Sequence, residues 1–212
     1  MTAVNPLPNI LTWLRLVAGL VMFTLLAAAA GGIPFLGDAL QAPEMQFAFI
    51  RWAFFAFVLG AVTDFFDGML ARKLNAETAW GATLDPIADK ILVCGTILGL
   101  FALRPLPEVA VPAALILFRE FAVSALRESA ASRGQALKVT WLAKWKTTLQ
   151  LLAFGLLMLV EAWASLGLDV NPDVLGPTRS VAVGLIWVAA LVTLWTGWDY
   201  VRAARRALPH EA

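Results

Sequence analysis

The sequence predicts an all-α, polytopic membrane protein: one membrane domain over residues 1–212 with six transmembrane helices. Three observations predict it. Hydrophobic residues make up 60% of the chain and mean hydropathy is +0.78, whereas a soluble domain holds about 45–50% apolar residues. A chain of this size leaves too much surface outside its core to hide that excess, so lipid must be the main solvent. The apolar residues also fall into six runs, each near the roughly 20 residues a helix needs to cross the hydrocarbon layer. No period-two pattern competes, and a backbone inside lipid must satisfy its own polar groups, which favours helices.

The first run, 10–30, is too long for a signal-peptide core and has no Lys or Arg on its N-terminal flank. It is read as a retained span, preceded by a short interfacial segment, Met1–Pro8. The second run, 45–71, carries acids near its end, and the third, 86–103, begins just after Asp85. A residue before proline avoids the α region, so Asp85 is expected near the start of the third helix, with Pro86 in its first turn. The remaining runs are 108–131, 142–166 and 179–203.

The connections divide by charge. Segments 31–44, 104–107 and 167–178 are nearly free of basic residues, whereas 72–85, 132–141 and the tail carry Arg72, Lys73, Arg133, Lys138, Arg202, Arg205 and Arg206. The positive-inside rule puts the basic set, and with it both termini, in the cytoplasm. Nine tryptophans suit interfacial belts as well as packing. The single cysteine, Cys94, cannot form an intrachain disulfide. The formal net charge of +1 says little about partners, and no nucleic-acid partner is expected.

Charges inside membrane helices are costly and usually functional. Here the acids cluster: Asp64 and Asp67 stand at i and i+3, Asp85 and Asp89 at i and i+4, so each pair shares a helix face. The connection between the two runs is short, which predicts antiparallel neighbours and four carboxylates at one depth. Without cations such a group would repel itself. All-oxygen ligation selects hard ions such as magnesium, calcium or manganese, and two of them form a clamp for displacement at phosphorus. Gly68, Ala71 and Gly81 leave room for a bulky group near the backbone; the competing reading is tight helix packing. Arg72, on the same side, is suited to neutralising a phosphate.

From Asp64 to Asp89 the chain reads DFFDGMLARKLNAETAWGATLDPIAD. It fits D-x-x-D-G-x-x-A-R-x8-G-x-x-x-D-x-x-x-D at every fixed position and resembles the signature of the CDP-alcohol phosphotransferase family. Asn5–Thr12 with Arg15, Arg119–Glu128, Lys138 and Lys144–Gln150 resemble the corresponding stretches of phosphatidylglycerophosphate synthases. The resemblance implies the six-helix fold of that family, a homodimer and two divalent cations, magnesium or manganese. It implies that Asp64, Asp67, Asp85 and Asp89 bind metal and that Asp89 is also the catalytic base. Contacts to CDP-diacylglycerol are expected from Asn9, Thr12, Asp64, Asp67, Gly68, Ala71, Arg72, Gly81 and Asp85.

The implied reaction transfers a phosphatidyl group from CDP-diacylglycerol to glycerol 3-phosphate, with release of CMP, at the cytoplasmic face of a bacterial inner membrane and among membrane lipid. A dianionic acceptor phosphate needs cations, and Arg119, Arg127, Lys138, Lys144 and Lys146 are the candidates. Two competing readings stand beside this assignment. Arg133 and Lys138 also fit ordinary positive-inside charges, and Arg119 fits a structural pair with Glu120. Other acceptors (inositol phosphate, serine, phosphatidylglycerol) would use the same reaction core. A transporter or channel with buried acids is the reading from another class, and the fixed Gly and Ala–Arg positions between the acids do not suit it.

Overall fold

A computed structural model describes residues 7–33, 42–74, 79–135 and 141–207, with side chains at 9–33, 42–66, 84–135 and 145–206. Six helices account for nearly all of it: α1 Leu7–Ala29, α2 Pro43–Leu74, α3 Ala79–Leu103, α4 Pro107–Ser132, α5 Trp141–Ala162 and α6 Pro172–Ala207. A single 3-10 turn, Ala164–Leu166, follows α5, and no strand occurs among the described residues. Each of the six helices contains a stretch long and apolar enough to cross a membrane. The protein is an integral membrane protein.

Two helices begin well before their apolar runs. Helix α3 starts at Ala79, so Asp85 lies in its second turn and Pro86 sits inside the helix, not in the first turn as the Asp-Pro pair predicts. The bias against α geometry before proline is an energetic preference, and the flanking helical turns override it here. Helix α6 starts at Pro172, inside a segment read as a loop. There the Asn171 side chain accepts the Asp173 N–H at 2.9 Å, a helix N-cap with proline in the first helical position. At the other kind of terminus, Gly31 adopts φ 72°. The Gly32 N–H reaches the Ala27 carbonyl at 2.8 Å and the Gly31 N–H the Ala28 carbonyl at 3.0 Å, which closes α1 in a left-handed cap that glycine tolerates without strain.

The chain forms two compact units. One comprises α1, α2, α3 and Gly155–Gly176; the other comprises α4, α5 through Phe154 and α6 from Pro177. In the first unit α1 packs along both α2 and α3, which touch each other much less among the described residues. The cause is a run of small residues. Gly19 faces Leu92, Gly95 faces Met22, and a Cβ at Gly99 would overlap the Leu26 side chain. Small residues let membrane helices approach closely enough for dispersion to hold them, since lipid supplies no hydrophobic drive.

The contacts Thr12–Asp85, Arg15–Asp89, Gly19–Leu92, Met22–Thr96 and Leu26–Gly99 advance together along both helices. Helices α1 and α3 therefore run parallel and in register. The opposite face of α1, with Ile10, Trp13, Val17 and Leu20, is exposed, as a lipid-facing stripe requires. At the far end of this unit Arg104 pairs with Glu161.

The second unit repeats the parallel arrangement with α4 and α6. Glu108 pairs with Arg179, Arg119 with Thr193 and Thr196, and Val123 packs with Tyr200 in a buried cluster.

Candidate active site

Helix α1 organises the acids. Thr12 and Arg15, one turn apart, are both 2% exposed. The Thr12 hydroxyl donates to Asp85 Oδ1 at 2.5 Å. Arg15 Nη1 donates to Asp89 Oδ1 at 2.5 Å and lies 3.1 Å from Asp64 Oδ1. One nitrogen from α1 thus bridges a carboxylate of α2 and a carboxylate of α3. Because α1 and α3 are in register, the Thr12–Arg15 turn stacks on the Asp85–Asp89 turn. Three of the four expected metal-binding acids are therefore gathered by a helix that carries none of them.

Asp67, Gly68, Ala71 and Arg72 lie on the backbone of α2, and Gly81 on that of α3, but their side-chain surroundings fall outside the described residues, as does that of Lys144 on α5. Lys138 falls outside the described residues altogether. Asn9 lies on α1 one turn before Thr12 and is half-buried.

The acids are of the kind that could hold a hard divalent ion. Asp64 and Asp89 meet at the Arg15 guanidinium, and Thr12, one turn away on α1, holds Asp85. Carboxylate oxygens are the ligands that magnesium and manganese take. Among the described residues no three His, Cys, Asp or Glu side chains are close enough to make a full ligand set.

A second polar cluster lies in the other unit. Arg119, only 6% exposed, donates from Nε to the Thr193 carbonyl and from Nη2 to Thr196 Oγ1, both at 2.9 Å. Its Nη1 is 3.3 Å from Glu120 Oε1, and its guanidinium lies 5.7 Å from the centre of the Tyr200 ring. Lys146 pairs with Glu120, and Gln150 donates to Thr193 Oγ1 at 2.7 Å. The close seat of Arg119 on α6 depends on Gly197, where a Cβ would stand 2.9 Å from Arg119 Cγ. So Arg119 and Lys146 are brought together through Glu120. Arg127, two turns further along α4, is exposed.

Sequence reasoning gave Arg15 no role and missed the contributions of Gln150, Thr193 and Thr196. The signal for Arg15 was present: it is the one charged residue in the span Asn9–Ala29, and an intramembrane charge calls for a partner. The α6 residues carry a weaker signal, a spacing of i, i+3 and i+7 for Thr193, Thr196 and Tyr200.

The family model for CDP-alcohol phosphatidyltransferase matches residues 5–195. A CDP-diacylglycerol–glycerol-3-phosphate 3-phosphatidyltransferase of Cereibacter sphaeroides is 37% identical over 230 aligned positions, covering 96% of each chain. Proteins of the same name from Rickettsia bellii and Shigella flexneri are 41% and 38% identical, over 71% and 75% of this chain and 77% and 84% of their own lengths. With its acids gathered on α2 and α3, and with a family match running through five helices and most of the sixth, this chain belongs to the CDP-alcohol phosphatidyltransferase family.

Proposed function

We propose that the protein transfers the phosphatidyl group of CDP-diacylglycerol to sn-glycerol 3-phosphate, giving phosphatidylglycerophosphate and CMP. The observation that carries the reading is the convergence of Asp64, Asp85 and Asp89 on α1, within a motif whose relatives bear the name of this activity.

Asp64, Asp67, Asp85 and Asp89 would hold two divalent cations, magnesium or manganese, which when bound neutralise the lipid diphosphate and the departing CMP. Asp89 accepts the proton of the attacking hydroxyl. The hydroxyl oxygen bonds to the β-phosphorus, the bond from that phosphorus to the bridging oxygen breaks, and CMP leaves with the electron pair. Thr12 keeps Asp85 in a fixed rotamer. Asn9, Thr12, Gly68, Ala71, Arg72 and Gly81 border the cytidine diphosphate. Arg119, Arg127, Lys138, Lys144 and Lys146 supply positive charge for the acceptor phosphate, and Glu120 keeps Arg119 and Lys146 from drifting apart. The basic connections face the cytoplasm, both termini and the acids are on that side, and the protein works as a homodimer.

The test is CMP release by purified protein with CDP-diacylglycerol and, in separate arms, glycerol 3-phosphate, inositol phosphate, serine or phosphatidylglycerol, each with and without a chelator. Turnover with glycerol 3-phosphate that the chelator abolishes is expected. Turnover with another acceptor and none with glycerol 3-phosphate overturns the substrate assignment, and chelator-resistant turnover overturns the metal assignment.

A further inference from the structure

We infer that the last turns of α6 form a binding site for the headgroup of an anionic phospholipid, built from Trp198, Arg202, Arg205 and Arg206. The site lies on one helix and stands apart from the reaction proposed above. Between Arg179 and Asp199 α6 carries no charged residue. At about 1.5 Å per residue those two positions are about 30 Å apart along the helix, the thickness of a hydrocarbon layer. Arg179 pairs with Glu108 at one boundary, so Trp198 marks the other. Arg202 comes one turn later, about 6 Å further out. That is the depth of the lipid phosphates, since the polar layer on each side of the hydrocarbon is about 5–8 Å thick. Arg205 and Arg206 follow within the next turn, and their long side chains reach back to the same depth.

Helical spacing sets Leu191, Trp195, Trp198, Arg202 and Arg205 on one stripe, opposite the buried Thr193, Thr196, Tyr200 and Ala204. Trp195 is 70% and Trp198 51% exposed, and all three arginines are exposed. The Arg202 guanidinium lies 5.5 Å from the centre of the Trp198 ring. This cation–π contact holds the charge over the membrane boundary and leaves its N–H donors available. Among the described residues no acid pairs with any of the three arginines, and Asp199 is the one acid between Arg179 and Ala207. Guanidinium forks match the oxygens of a phosphodiester, and the excess of positive charge selects a headgroup of net negative charge.

Lipid is the occupant for two reasons. The charge-free length equals the hydrocarbon thickness, so the stripe meets acyl chains where it is apolar and headgroups where it is basic. A second copy docked on this stripe about a two-fold axis would set arginines against arginines, and such like-charge contacts are unfavourable.

The experiment places the full chain in phosphatidylcholine bilayers. Electron paramagnetic resonance then measures the motionally restricted fraction of spin-labelled phosphatidylglycerol and, separately, of spin-labelled phosphatidylcholine. The readout is the ratio of their association constants. Wild type is expected to favour phosphatidylglycerol by at least about threefold, and high salt to bring the ratio toward one. Arg202→Gln, Arg205→Gln and Arg206→Gln combined should give a ratio near one. Trp198→Leu should lose part of the preference, and Arg133→Gln, which removes a charge elsewhere, should keep all of it.

A wild-type ratio near one, or a wild-type ratio in the triple variant, overturns the site. An undiminished preference in Trp198→Leu, or an equal drop in Arg133→Gln and Arg202→Gln, leaves only diffuse positive charge and overturns it as well. Inorganic phosphate that removes the preference at an ionic strength where sodium chloride does not would make free phosphate the ligand in place of lipid. The salt and phosphate arms use wild type alone and do not depend on the folding of any variant.

Discussion

Replacing Thr12 by valine removes one hydroxyl and preserves the shape of the side chain. In the structure that hydroxyl donates to Asp85 Oδ1 at 2.5 Å from a position only 2% exposed. A hydrogen bond to a charged acceptor contributes about 1.5–3 kcal/mol. Asp85 itself is half-buried, so water replaces part of what is lost and the lower half of that range applies. At about 1.4 kcal/mol per factor of ten, the productive rotamer of Asp85 loses roughly twelve- to fortyfold in population. That agrees with the roughly 10–100-fold cost of removing a group that orients a metal ligand. The assay is CMP release as a function of Mg²⁺ concentration at saturating CDP-diacylglycerol. Thr12→Val should shift the Mg²⁺ dependence upward by about tenfold or more and leave the KM for CDP-diacylglycerol within about threefold. An unchanged Mg²⁺ curve with a raised KM for the lipid nucleotide would refute this reasoning and leave Thr12 with its nucleotide contact alone.

Three further outcomes are expected. Asp89→Asn should abolish turnover while sparing most of the affinity for CDP-diacylglycerol in equilibrium binding; near-normal turnover removes Asp89 from the role of base. Arg119→Ala takes the donor from the Thr193 carbonyl and Thr196 Oγ1 while Glu120 keeps Lys146, and should destabilise the protein by about 1–3 kcal/mol, read as a lower melting temperature in detergent. It should also raise the KM for glycerol 3-phosphate more than that for CDP-diacylglycerol, and an equal rise in both places Arg119 outside the acceptor site. Gly99→Ala drives a methyl group into Leu26 and should destabilise by about 1–3 kcal/mol; a melting temperature equal to wild type would show that the α1–α3 seam has slack.

Much of the fold is legible in the sequence because lipid simplifies the problem. An apolar run of about 20 residues in this setting has one good solution, and all six runs became helices. The helix starts were less legible. Local signals such as Asp85-Pro86 and Pro172-Asp173 look like breaks in isolation. At α3 the flanking turns carry the helix through proline, and at α6 Asn171 makes proline the start of the helix. The acids Asp64, Asp85 and Asp89 are legible because a carboxylate inside an apolar run needs a reason to be there. What escapes is the partner. Nothing local in Leu11–Leu16 says that its Thr and Arg meet residues more than seventy positions later. The same gap hides Thr193 and Thr196, which meet Arg119 across a similar separation.

That separation has a physical origin, and it explains how α1 orders the acids of α3. Adjacent spans joined by a short turn must run antiparallel, so side chains near their shared turn meet only there. A parallel pair, such as α1 and α3, keeps one register over its whole length, and each turn of one helix faces a fixed turn of the other. Glycines at 19, 95 and 99 close the distance, and the register then sets Thr12 on Asp85 and Arg15 on Asp89 one turn apart. A shift of α1 by one residue would rotate both polar side chains away by about 100° and expose two unpaired groups to an apolar interior, which is strongly unfavourable. The polar contacts and the glycine contacts therefore enforce the same alignment. Asp85 and Asp89 are held in place by packing along four turns of α1.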